Sequence, residues 1–193
     1  MHAKSRRGTA ELMELLKNIA LVIVSPRVGW DDVSQSSIPT DRVLSRAFYP
    51  LLAVLAVTSF VPMVYDSTLT LTQSIVRAVI SFSSYFFTYF ISSYLLSVFY
   101  PELVKTRLAQ DRLSDYIIYN LIYLIILSIV ANVLPIDFTP IFFMMLYLVW
   151  MAYRGVKTLG VKKGKVTKFV TIASCLFLGL PMAVKMLLGS IFN

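Results

Sequence analysis

Five apolar runs divide this chain, and all but the shorter fourth are about twenty residues long, enough to cross roughly 30 Å of hydrocarbon at about 1.5 Å per helical residue. They cover 47–65, 78–99, 116–134, about 138–153 (the shortest) and 169–188. No soluble core in a chain of 193 residues requires several such runs. The runs are apolar all round and lack strand-like alternation, so helix is the state that satisfies their backbone groups within lipid. The expected fold is all-α: a polytopic membrane protein with a bundle of five transmembrane helices over 47–193, preceded by a cytosolic segment, 1–46. Composition agrees, with 58% hydrophobic and 15% charged residues, where a soluble domain has roughly one half and one quarter.

Five crossings put the two ends of the chain on opposite sides, and the basic residues say which is which. Lys4, Arg6, Arg7, Lys17, Arg27, Arg42 and Arg46 precede the first run. Lys105, Arg107 and Arg112 lie between the second and third, and Arg154, Lys157, Lys162, Lys163, Lys165 and Lys168 between the fourth and fifth. Sixteen of the eighteen basic residues therefore share one side, leaving Arg77 and Lys185 on the other. The positive-inside rule makes the N-terminus cytosolic and places the C-terminus opposite. The outer connections, 66–74 and 135–137, are short, so recognition is expected on the cytosolic face, and the third and fourth helices should form a tight antiparallel pair. The net charge of +8 lies in short stretches between apolar runs, a pattern suited to a membrane surface and not to nucleic acid.

Residues 1–46 are not a simple tail. The basic start is like that of a signal peptide, but Glu11, Glu14, Lys17 and Asn18 interrupt its apolar region and no small-x-small site follows, so the segment is read as retained. Leu12, Leu15, Leu16, Ile19, Val22 and Ile23 fall on one helical face, with the four polar residues on the other. The pattern predicts an amphipathic helix over about 9–24, with Thr9 as N-cap and Pro26 at its end. It either lies in the cytosolic interface or packs on the bundle through the same face. The polar stretch after Trp30 reads as a linker, Thr40 caps a helix entering the first span, and Pro50 kinks it.

The side chains offer no catalytic constellation. HExxH, GxSxG, paired intramembrane aspartates and Gly-rich phosphate loops are absent. With His2 the only histidine and Cys175 the only cysteine, neither a His/Cys metal site nor an intrachain disulfide is expected, and no cofactor. Asp31–Asp32 and Asp111/Asp115 read as solvated charge. Polar residues do recur at helical spacing: Ser81, Ser84, Tyr85, Thr88 and Ser92 in the second run, and Tyr116, Tyr119, Asn120 and Tyr123 in the third. The fifth adds Thr171, Ser174, Cys175 and Lys185. Such stripes let helices approach and hydrogen-bond in lipid, the commoner use, or line a path in a small transporter or channel. Lys185 lies near the end of its run, where it can snorkel outward and meet Asp137.

Three segments carry a resemblance: SPRVGWDDV at 25–33, AFYPLLAVLAVTSFV at 47–61 and YLVWMAYRGVKTLGVKKGKVTKFVTIAS at 147–174. Their order and spacing, with the five runs, resemble the bacterial branch of the Yip family, named for interaction with Ypt/Rab GTPases. The resemblance spans almost the whole chain and implies a multi-pass protein of the bacterial inner membrane with no established activity. Eukaryotic members act in vesicle traffic and bind small GTPases; their Asp-Leu-Tyr-Gly-Pro-type motif does not occur here. The positions matching the family pattern are Pro26 (helix stop), Trp30 (interfacial anchor), Pro50 (kink) and Gly155 (turn). The expected function is non-enzymatic action through the cytosolic face on membrane lipids or a cytosolic protein partner, as a single chain or homo-oligomer. Arg6, Arg7, Lys162, Lys163, Lys165 and Lys168 are the candidate contacts.

Overall fold

The computed structural model describes residues 2–134 and 138–192, with side-chain surroundings for 9–134 and 143–191. The described residues are all-α. In order they are α1 (His2–Val24), α2 (Pro26–Gln35), α3 (Thr40–Val43), α4 (Tyr49–Thr58), α5 (Leu71–Phe99), α6 (Arg107–Val133), α7 (Phe138–Gly155) and α8 (Val166–Phe192). Among the described residues four stretches are long and apolar enough to cross a membrane: Thr40–Val64, Leu71–Phe99, Arg107–Val133 and Lys163–Ile191. The sequence led us to expect five. The fourth run forms α7, whose 18 residues make it the shortest of the bundle's long helices.

Helices start outside the apolar runs because their caps lie in the polar flanks. Thr70 opens α5, accepting from the Gln73 N–H at 3.2 Å while its own N–H donates to Gln73 Oε1 at 3.0 Å. This reciprocal box moves the start seven residues ahead of the apolar run. Thr106 caps α6 in the same way, its hydroxyl accepting from the Ala109 N–H at 3.2 Å. The irregularity expected at Pro50 takes the form of a π-helical turn, Leu44–Phe48, just before it. A proline there cannot bond the carbonyl four residues back, and the widened turn accommodates that gap.

α6 is the hub. Every residue from Tyr116 to Ile125 is buried, as expected of a helix apolar all round. α4, α5 and α7 pack around it, α8 reaches it through Phe169 and Phe177 against Tyr116, and α5 against α8 is the most extensive contact. Tyr116 donates to the Ala152 carbonyl at 3.2 Å and Tyr123 to the Met144 carbonyl at 2.6 Å. The later α6 residue meets the earlier α7 residue, so α6 and α7 are antiparallel as expected; the residues between them, 135–137, lie outside the described residues.

α1 and α2 form a tight antiparallel hairpin against the bundle. A Cβ built on Gly29 would land on the backbone of Val22, so only glycine permits this approach. Several expectations are corrected here. Thr9 does not cap α1, which begins at His2, and 31–35 is helix, not linker. The buried face is rotated from the expected one: Leu15, Asn18, Ile19 and Val22 turn inward, while Leu12 and Leu16 are exposed. Asn18 is buried with this face, its Nδ2 without a hydrogen-bond partner among the described residues. The helix is therefore packed on the bundle and does not lie free. Glu11 binds Arg42 and Arg46, and Lys17 binds Asp32 at 2.9 Å.

The basic loop Val156–Lys165 touches α2 on one side and, through the Lys165–Glu102 pair, the turn Pro101–Val104 on the other; we call this the basic end. Gly160 there has φ +68° with open space around it. Gly160→Ala should lower stability by about 1 kcal/mol through backbone strain alone. Gly164→Ala, equally uncrowded but without positive φ, should cost less in the same unfolding titration.

Candidate functional site

Pro26 opens α2 at a position where its missing N–H costs nothing, and carries Trp30 inward one turn later. Trp30 is 2% exposed. Its Nε1–H donates to the Met151 carbonyl at 3.0 Å, and its ring lies 5.6 Å from that of Tyr116 and 5.9 Å from that of Tyr119. A Cβ on Gly155 would sit 2.5 Å from Trp30 Cε2. The expected role of Trp30 is thus corrected, and Gly155, which ends α7, gains a second one. Trp30 is a core residue, not an interfacial anchor, and Gly155 is the seat of its indole. The left-handed turn belongs to Gly160. The indole joins an aromatic cluster that continues from Tyr116 to Phe169 and Phe177, tying α2, α6 and α8 together.

Beside Trp30 is a polar cavity of about 150 Å³ bounded by 33–40, the start of α6 and Thr158. Asp111 is exposed as expected, but Asp115 is half-buried and its Oδ1 has no hydrogen-bond partner within the protein. Arg112 reaches across to the Thr158 carbonyl at 3.5 Å. The reading of Asp115 as solvated charge is thus corrected; the apolar run begins one residue later, and helix packing draws the carboxylate in. Among the described residues no group of three or more His, Cys, Asp or Glu could hold a metal ion.

The basic loop frames two grooves at the start of α8. Between α7 and α8, a recess of about 440 Å³ is lined by Lys157, Lys163, Val156, Val161 and Val166. Through shared Tyr153 and Thr167 it runs on into a recess of about 480 Å³ walled by Leu146, Val149, Trp150 and Val170. The Arg154 guanidinium lies 4.1 Å over the Trp150 ring, which braces that wall. On the opposite side of α8, Lys165 and Lys168 border a recess of about 230 Å³ with Phe99, Tyr100 and Ile172. Lys165 also pairs with Glu102 at 3.3 Å. Glu102's own backbone N–H, then the Lys165 ammonium, hold its carboxyl below the usual range. The loop lysines thus divide: Lys163, Lys165 and Lys168 border grooves, whereas exposed Lys162 borders neither of these. Lys157 was not singled out from sequence, although a lysine just past the end of an apolar run and next to aromatic residues is a lipid-contact signature. Arg6 and Arg7 lie in the first turns of α1, and their side chains fall outside the described set.

Within the polar stripes Thr88 and Asn120 donate back to carbonyls of their own helices, those of Ser84 at 2.6 Å and Tyr116 at 2.7 Å, while Tyr85 reaches from α5 to the Ser128 hydroxyl of α6 at 2.7 Å. Ser92 Oγ, Asn120 Oδ1 and Ser174 Oγ are buried without a hydrogen-bond partner among the described residues. The fifth-run arc is split, with Ser174 buried but Thr171 and Cys175 exposed. Lys185 sits 5.5 Å over the Tyr85 ring. Its expected partner, Asp137, lies outside the described residues.

No family model, curated protein or solved structure matches this chain.

Proposed function

We propose that this chain is a five-span, non-enzymatic membrane protein of the Yip kind, with α7 as the fifth span and the basic end in the cytosol. It acts there by holding anionic phospholipid. The carrying observation is the groove between α7 and α8, basic at its mouth and apolar along its length. That is the outline of a lipid: phosphate between Lys157 and Lys163, an acyl chain along Trp150 and Val170. The N-terminus of α8 adds its partial positive charge at the same mouth. α7 is about 27 Å long, enough to reach across most of a bilayer core of roughly 30 Å.

The test is native mass spectrometry of the protein extracted in mild detergent from membranes containing phosphatidylethanolamine and phosphatidylglycerol. Retained phosphatidylglycerol in excess of its membrane share is expected. Retention in proportion to the membrane, or a cytosolic protein held by the basic loop in place of lipid, would overturn the reading.

A further inference from the structure

We propose that the α1–α2 hairpin is a wedge inserted into one leaflet, the one at the basic end, and that it gives the protein a preference for membrane that is convex on that side. The inference rests on the reading of the chain as a membrane protein with α7 as a span. It does not require the anionic-lipid groove.

Depth is the first support. Tyr147 donates to the Ile23 carbonyl at the hairpin tip, at 2.9 Å, and Tyr147 and Tyr123 rings lie 5.9 Å apart. Two rulers convert this to a level. Tyr123 is eight residues beyond Asp115, the last charge on α6, and Tyr147 is seven residues before Arg154, the basic residue that ends α7. At about 1.5 Å per residue, both put the tip about 10–12 Å inside the charged boundary. Half of a bilayer core is about 15 Å, so the hairpin enters one leaflet and stops. Charge partition along the hairpin agrees. Its ion pairs, Lys17 with Asp32 and Glu11 with Arg42 and Arg46, lie at the open end.

The outward face is the second support. Met13 is 72% exposed, Leu16 57% and Val24 81%, and Leu12 and Val28 are exposed with them. On α1 these residues occupy one arc, beside the arc buried on the bundle. By the same ruler Val24 and Val28 lie near the tip, among acyl chains, Leu16 lies at the charged boundary and Met13 a few ångström beyond it, among the headgroups; in water the whole strip would be unfavourable. Arg27, close to the tip, is the one charge that must reach outward, and its long stem allows the guanidinium to rise toward lipid phosphates. Two helices, each about 10 Å wide, thus enlarge one leaflet with no counterpart in the other. A bilayer relieves that asymmetry by bending, and a bent bilayer accommodates the hairpin at lower cost.

Two measurements decide it, both in phosphatidylcholine, so that failure of the anionic-lipid reading leaves them intact. The first uses the full chain with Cys175→Ser and Val24→Cys, labelled with an environment-sensitive fluorophore. Blue-shifted emission, quenched best by lipids brominated at shallow acyl positions, is expected; water-like emission overturns the insertion. The second compares protein density in tubes pulled from giant vesicles with that in the parent membrane, sidedness being fixed by protease accessibility. At least twofold enrichment is expected when the basic end faces outward, and depletion when it faces inward. The variant Met13→Ser, Leu16→Ser, Val24→Ser changes only outward-facing side chains and should lose most of the enrichment while remaining membrane-embedded. Equal tube and parent densities, or enrichment unchanged in the triple variant, would sink the wedge.

Discussion

Trp30→Ala should cost about 3–5 kcal/mol of stability and free the N-terminal hairpin from the bundle. The indole is 2% exposed and contacts α6 and α7 at once. Truncation leaves a cavity between Tyr116, Tyr119 and Gly155 that close-packed helices cannot refill. It also leaves the Met151 carbonyl without the indole donor, a loss of about 1 kcal/mol within that total. Trp30→Phe helps separate the two contributions, since it keeps part of the packed ring area while losing the hydrogen bond. Gly155→Val attacks the same contact from the other side, because the new side chain occupies the indole's position. The two changes should therefore be strongly non-additive, the double variant being little worse than either alone. Unfolding titrations in mixed micelles give the energies. Hydrogen exchange over 15–35 locates the effect: exchange should rise there in Trp30→Ala while α5 and α8 stay protected. A midpoint within about 0.5 kcal/mol of the parent would mean that the indole is not what docks the hairpin.

The distance between sequence and structure can be judged on these same residues. The apolar runs were plain because lipid tolerates few exceptions; the later four each lie within a single helix to within a residue, and the first is divided among the π-helical turn, α4 and a short turn Val61–Val64. Their ends were harder to place. A cap such as Thr70 or Thr106 is a local hydrogen-bond decision in polar sequence, and hydropathy does not register it. The α1–α2 hairpin was the largest surprise. Pro26, Gly29, Asp31, Asp32 and Ser34 read together as turn and linker, yet Pro26 is well placed at a helix start and Gly29 is selected by close approach. Tertiary contact overrode weak local propensity. The resemblance to a known family marked both Trp30 and Gly155, but nothing in a linear sequence states that the two touch. Likewise the amphipathic pattern of α1 gave the helix and not its rotation. It has two apolar arcs, one for the bundle and one facing outward, and hydropathy cannot say which is which. The basic loop was legible as a cluster; its division into residues that border grooves and residues that do not required α7 and α8 side by side.

That division makes the second large prediction. Near an anionic leaflet a lysine contributes about 1 kcal/mol, so Lys157→Gln with Lys163→Gln should weaken retention of phosphatidylglycerol by about 2 kcal/mol, roughly 30-fold. Lys162→Gln, which removes the same charge without touching the groove, should change it far less. This comparison matters because a diffuse attraction of the whole +8 chain for an anionic surface would treat the three lysines alike. The groove's apolar length gives a complementary test. Trp150→Ala removes the wall braced by Arg154 and should weaken retention of every diacyl lipid, whatever its headgroup. Raising the ionic strength should narrow the difference between phosphatidylglycerol and phosphatidylethanolamine in the parent protein. It should have little effect in the double variant, whose discriminating charges are gone. Lys165 serves as an internal reference: its neutralisation breaks the pair with Glu102 on the opposite side of α8 and should leave the α7–α8 groove occupied. Competitive binding measured by native mass spectrometry, or by fluorescent-lipid displacement in micelles, covers all four variants. If the double variant keeps its phosphatidylglycerol while Lys162→Gln loses it, the groove is not the lipid site, and the loop engages its ligand through its exposed rim.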